Sequence, residues 1–590
     1  MESEQPEITT IRVDDIPLLL TMIIKLGLPE LYEREVGDHG LFTGLSGGWL
    51  LSIWLTFILT RGDHTKYAVE EWVGRHQKVI EAVVGQPIEA SEFSDNRLGS
   101  VLKRLSVAER WERLESALWE NSVVAYALAR QPEGGLFSAM VDSTTAYGYH
   151  EISAGGLMQR GHSKDHRADL PQVKVMTLSV HPEGYLAASQ VLSGERADDR
   201  LYLPIIARGR AMFGRTGVLY VGDAKMAALA TRGDIASHQD YYLTVLPHTG
   251  EVARDLPGWI RKVTDKQQKT EEITNAQGER IGHGYEIEIE RHVVLAPDKP
   301  EVSWVERVQV IQSDALAEQQ QTRLEQRLKH AEERLRALTP KPGRGKQAIR
   351  DEAVLRERIA AVLAEEQIEE LLTVTWQTHE LRQTRFIGRG RGGPDRPTRE
   401  VVSSWYVINA VTPNADAIAQ RKTELGWRVQ ATNAYGTPGS VPAALMSLNA
   451  CVQHYRTNWR GERNYHLLKS EPLGISPIFV HKDDQIAGLT HVLTLGVRVQ
   501  LLLEIQVQHA LQSAGTSIAG LHPGLPKQAT SHPTARALLD AIERMTITLT
   551  VMQLGQTRFV HVTPLPLLLL QLLSYLGLSA SLYTDLTQIE

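Results

Sequence analysis

One cysteine, Cys451, occurs in 590 residues. A single thiol excludes an internal disulfide and a thiolate-rich zinc cluster, and it fits a reducing, cytoplasmic setting. No signal peptide is expected, because the start MESEQPEITT is acidic and lacks a basic region followed by an apolar run. Unbroken membrane spans are lacking too. LFTGLSGGWLLSIWLTFILT (41–60) and FVHVTPLPLLLLQLLSYLGLSASLYT (559–584) are long enough to cross a bilayer. Gly44, Gly47 and Gly48 interrupt the first, Pro564 and Pro566 the second, and neither has a flanking basic cluster. Both are expected as buried helices, with no membrane partner. A net positive charge is lacking as well, since Lys+Arg 63 against Asp+Glu 70 sum to −7.

The distribution of charge says more than its sum. Residues 1–140 carry −8, which leaves the remainder near +1. Within that remainder, LRQTRFIGRGRGGPDRPTRE (381–400) sets Arg382, Arg385, Arg389, Arg391, Arg396 and Arg399 against Asp395 and Glu400. Such a run either tracks a phosphate backbone or forms a solvated loop. An apolar content of 42% supports a folded chain, and its length calls for several domains.

Residues 1–132 read as helices, with a composition break at PEGG. Strand-like segments follow at 136–149, 171–180 and 184–192, the last two joined by the hairpin signal HPEG. A helix at about 198–213, the strand GVLYVGD (217–223), a second helix and the strand YYLTVLP (241–247) complete the order β-β-β-α-β-α-β. That order predicts an α/β fold, a ribonuclease-H-like mixed sheet with helices on its faces, split into 133–250 and 426–510. Between them, 251–425 reads as a β-rich insertion. It contains a helical hairpin over 314–372, with Leu324, Leu328, Ala331 and Leu335 in stripe and TPKPGRGK as the turn. Residues 511–590 read as a C-terminal helical region.

The stretch HYRTNWRGERNYHLLKSEPLG (454–474) places one carboxylate, Glu462, among cations and aromatics. On a continuous helix, Tyr455, Trp459, Glu462, His466 and Lys469 share one face. A solvated face with local ion pairs is the plain structural reading. Asp142, inside the first strand, and Asp223, closing the fourth, have equally plain readings. Asp142 can bond Ser143 or Thr144, and Asp223 can cap the next helix. Together the three carboxylates suit two divalent ions, Mg²⁺ or Mn²⁺, acting on a phosphodiester.

These residues resemble the DDE-type transposases of bacterial insertion sequences, in the superfamily with a β-rich insertion before its glutamate. VDSTT resembles the first-aspartate strand, GHSKDHRADLPQVKVMTLSV (161–180) the motif after it, and VLYVGDAKMAALA the second-aspartate strand. YRTNWRGERNYHLLK is similar to the Y-x2-R-x3-E-x6-K glutamate helix. Asn458 stands where the family has arginine, which removes a bidentate cation; Arg456 and Arg460 flank it.

The resemblance implies a metal-dependent transposase with catalytic and metal-binding Asp142, Asp223 and Glu462. It would cut at element ends and join the freed 3′-hydroxyl to target DNA, as a homodimer in a synaptic complex. The first 132 residues would bind the element end, and Tyr455 and Lys469 would hold phosphates. Arg456, Arg460, Lys164, His166, Arg167, Arg385, Arg389 and Arg391 are further candidates for contact with double-stranded DNA, and Trp459 for stacking on an unpaired base. The competing readings are a catalytically silent transposase-derived DNA-binding protein and a plain metal-dependent nuclease.

Overall fold

The computed structural model describes residues 7–38, 43–128, 136–197, 201–340, 348–388, 396–434, 446–554 and 556–588. At its centre, strands Ser138–Tyr147, Gln172–Val180, Tyr185–Ser193, Leu219–Gly222 and Tyr241–Leu246 follow the expected β-β-β-α-β-α-β order. Runs such as QVKVMTLSV are buried at every position, as strands covered on both faces must be. Ser138–Tyr147 pairs antiparallel with Gln172–Val180 and parallel with Leu219–Gly222, which in turn is parallel to Tyr241–Leu246. The sheet is therefore mixed.

Helices cover both faces. Gly209, in helix Tyr202–Phe213, sits against Leu178, while Gly461, in helix Trp459–Lys469, sits against Met140. Leu178 pairs in register with Val141, the neighbour of Met140, so the two helices lie on opposite sides of one strand.

The sheet continues further than the sequence suggests. Trp427–Thr432 joins Tyr241–Leu246, and Glu301–Ser313, Arg280–Val294 and Glu271–Thr274 add on in turn, making nine strands. The strands expected in a projecting insertion are thus continuous with the main sheet. The strand that links them to it, Trp427–Thr432, comes more than a hundred residues after Glu301–Ser313 in the chain. Helices Asp314–Leu338 and Glu352–Glu365, with strands Leu372–Phe386 and Thr398–Pro413, gather a core of their own around Leu324, Ala331, Leu335, Leu355 and Ile359.

The N-terminal segment is not all helical. Strand Glu7–Arg12 pairs with Thr548–Leu554, which also pairs with Thr557–Val562. Strand formation there depends on partners more than 500 residues away, so neither end of the chain reveals it locally. The expected helix over 559–584 begins instead as a strand. Pro564 and Pro566 end that strand, and helix Leu567–Tyr575 follows. The 41–60 run forms the buried helix Gly47–Arg61.

Among the described residues one helix, Asp483–Ala514, is long and apolar enough to cross a membrane, and its apolar window lies wholly inside the fold. It also carries buried Arg498, whose guanidinium reaches Glu115 of helix Ala108–Ala125. Arg208 pairs with the same carboxylate, and Ser189 donates to it from both its backbone N–H and its hydroxyl, at 3.1 and 2.8 Å. This charge-paired cluster ties the N-terminal helices to the sheet.

Candidate active site

Val141 and Gly222 are partners on adjacent parallel strands, so Asp142 and Asp223 follow side by side, about 4.8 Å apart in strand spacing. Both aspartates also accept a bond from a nearby backbone N–H. The Ser143 N–H donates to Asp142 Oδ1 at 2.6 Å, and the Lys225 N–H to Asp223 Oδ1 at 2.9 Å. Asp223 is not a helix cap, however. The next helix, Leu229–Ser237, starts later, with Ala228 at its N-cap.

The sequence missed Tyr202, whose hydroxyl donates to Asp223 Oδ1 at 2.6 Å. Nothing local marks it, because a helix and a strand intervene before the two side chains meet. Lys164 donates to Asp142 Oδ1 at 3.2 Å and to the Ser143 carbonyl at 2.6 Å, so the 161–170 segment does reach the acid pair. Burial pushes the Asp142 carboxyl above its usual range. Lys164 and the Ser143 N–H oppose the rise, and the neighbouring Asp223 charge adds to it. One ammonium does not neutralise the pair.

The helix expected to bear the third carboxylate is two helices. Leu448–Arg456 ends at Thr457, and Trp459–Lys469 begins after Asn458. Tyr455 therefore belongs to the first, packed on the cluster of Met140, Leu219 and Leu243. Trp459, Glu462 and His466 lie exposed along the second. No glycine or proline marks the break. Asn458 fills the junction with its side chain buried and its Oδ1 without a partner among the described residues.

Glu462, Asp142 and Asp223 share two phenolic neighbours, Tyr455 and Tyr465. Burial is the main cause of the rise at Tyr455, pushed up to about 12, and Asp223, Glu462 and Asp142 all add to it. Tyr465 is buried with its hydroxyl 2.6 Å from Thr177 Oγ1; burial raises it first and the same three carboxylates add to the rise, which the Thr177 bond opposes. Tyr465 lies three residues after Glu462, and that i+3 spacing was the signal available in the sequence. Among the described residues, however, no three His, Cys, Asp or Glu side chains are gathered into a ready metal-binding set. The carboxylates share one electrostatic neighbourhood without forming a closed cage. Two adjacent, repelling carboxylates with a third on the facing helix are the donor chemistry that a hard divalent cation takes.

The candidate cations are placed unevenly. Lys469 Nζ is bound to Asp165 at 2.5 Å, which joins the glutamate helix to the 161–170 segment instead of leaving a free cation. Arg460 donates to the Pro182 carbonyl and lies over the Trp459 ring at 5.7 Å. Arg456 is exposed at the end of its helix. Arg167 forms a two-pronged pair with Asp169, at 2.9 and 2.8 Å, and stacks over Tyr147. His166 turns the loop with φ 57°. Arg385 belongs to the two-stranded ribbon of the second core, whereas Arg389 and Arg391 lie outside the described residues. A cation that the sequence did not single out, Arg428, stands near Tyr455 and Arg456.

No protein-family model matches the chain, and no curated protein does. Among solved structures, a piggyBac transposase synaptic complex with hairpin DNA is similar over 92% of this chain and 82% of that chain, with 7% identity and a TM-score of 0.32. A likeness that slight bears on neither fold nor chemistry.

Proposed function

We propose that the chain is a DNA transposase built on a ribonuclease-H-like sheet, with Asp142, Asp223 and Glu462 as its acidic triad. The observation that carries this reading is the parallel register of Val141 with Gly222, which sets the next residues, Asp142 and Asp223, beside each other, with the helix that bears Glu462 packed through Gly461 on Met140 of the first strand. Structural carboxylates are normally neutralised when drawn inside a protein, and a pair that is not marks a functional site.

Asp142 and Asp223 would hold divalent cations, Mg²⁺ or Mn²⁺, from the rigid sheet, and Glu462 would complete the set from the helix. When bound, the cations supply charge neutralisation at the attacking and leaving oxygens of a phosphodiester. Tyr202 fixes the orientation of Asp223 through its 2.6 Å bond. Lys164 keeps the 161–170 segment against Asp142. Trp459, Arg456 and Glu462 are exposed and would be open to DNA, and Lys469 would reach a phosphate only by exchanging its bond to Asp165. A homodimer would bring two element ends together in the cytoplasm.

Strand transfer tests this directly. A labelled duplex with a pre-cleaved 3′-hydroxyl end, taken from the DNA flanking the gene, is incubated with plasmid and Mg²⁺. Joined product is expected. Cutting without joining would make the protein a nuclease, and binding without either would make it a silent DNA-binding relative.

A further inference from the structure

Strands Leu372–Phe386 and Thr398–Pro413 form a two-stranded antiparallel ribbon, with no third strand among the described residues. Its root is anchored. Leu372 and Val411 are buried in the second core, and Trp376, Tyr406 and Ile408 pack against it. From His379 outward, every residue of the first strand is exposed. An isolated ribbon gains little stability of its own, so one that extends about 25 Å beyond its core is a shape kept for a partner.

The side chains identify that partner's charge. One face carries His379 stacked on Trp405, then Leu381 opposite Ser403, Gln383 opposite Val401 and Arg385 opposite Arg399. Like charges held directly across a strand pair disfavour the ribbon. Among the described residues, neither Arg385 nor Arg399 has an ion pair; Arg385 has only a 3.4 Å bond to Gln383. Arg382, on the other face, reaches Glu380 and Glu400 no closer than 3.8 Å. The described residues of 379–404 hold four arginines, Arg382, Arg385, Arg396 and Arg399, against Glu380 and Glu400, in a chain whose total is −7. A polyanion relieves the repulsion that the ribbon builds in.

We infer that the ribbon is a duplex-DNA arm, lying in a groove with the Arg385–Arg399 pair on the phosphates. The major groove, about 12 Å wide, admits a two-stranded ribbon. The ribbon stands on the second core and not on the cluster beside the acidic site, so its contacts would position DNA. It rests on the DNA reading above for its choice of partner, and the test separates the two.

Fluorescence anisotropy of the full chain on a labelled duplex of about 30 base pairs, from about 50 to 200 mM salt, reads the number of phosphate contacts. Arg385→Glu turns the repelling pair into an attracting one, so the thermal midpoint should hold or rise while the salt slope flattens by about two. Arg399→Gln should flatten it by about one. The difference should vanish on a single strand of the same length, which has no groove. A wild-type slope in both variants overturns the arm while leaving the transposase reading intact. Failure of the wild type to bind any duplex overturns both. Dissociation of a dimer by Leu381→Ser with Val402→Ser, at unchanged slope, would assign the ribbon to a second copy of the chain instead.

Discussion

Glu115 and Asp142 are both carboxylates drawn into the interior of one fold, yet their surroundings are opposite. Glu115 is fully buried and meets two arginines, Arg208 and Arg498, with both donors of Ser189 completing its oxygens. Glu306 is held in the same way by Arg232, Arg291 and the Tyr242 hydroxyl. Asp142 keeps 19% of its side chain exposed, has a second carboxylate as its strand neighbour and receives one lysine. The difference teaches which acids hold the fold together and which are left charged for a task. The first kind is balanced within the chain, and the second awaits a cation from outside.

Breaking the balanced cluster should have the largest effect on stability. Glu115→Ala strands two buried guanidinium groups and should cost about 3–5 kcal/mol, read as a lowered urea midpoint. Asp142→Asn should do the reverse. Because the folded state raises this carboxyl above 3.8, it holds the proton more tightly than the unfolded chain does. Wild-type stability therefore declines as pH rises from the ordinary aspartate value through the raised one. The variant should lack that part of the decline and be at least as stable as wild type at neutral pH. Paired urea titrations at about pH 4 and pH 7 check the sign, and a loss at neutral pH equal to that of Glu115→Ala would erase the contrast.

Tyr202→Phe sharpens the comparison from the edge of the site. It removes one hydrogen bond to Asp223 and should lower Mn²⁺ affinity, read by calorimetry, about 10- to 100-fold. Lys469→Ala should have the smallest effect on stability, about 1 kcal/mol, since it breaks a single ion pair whose lysine keeps a quarter of its side chain exposed. Its effect on the salt slope of DNA binding separates a phosphate contact, which lowers the slope by about one, from a brace for the 161–170 segment, which does not.

The central strands were legible because they alternate or run continuously apolar, and because HPEG marks the turn between two of them. Asp142 and Asp223 could be placed on strands for the same reason. Their adjacency could not be read, since it comes from the parallel register of Val141 with Gly222, which no local pattern encodes. The break before Glu462 was illegible because Thr457 and Asn458 carry no helix-breaking signal, so Tyr455 was assigned to the wrong helix. Strands Arg280–Val294 and Glu301–Ser313 read correctly as strands, but their sheet depends on Trp427–Thr432, far along the chain. Lys469 reads as a free cation in a helix pattern, and only the tertiary fold brings Asp165 to it.

The most direct test of the triad is nicking of a supercoiled plasmid that carries the gene with its own flanking DNA, in Mg²⁺, by wild type and by Glu462→Gln. Wild type should nick at the element ends, and the variant should bind the same DNA with similar affinity and leave it intact. A Glu462→Gln protein that still cuts at those ends would contradict the assignment of the three carboxylates to one site.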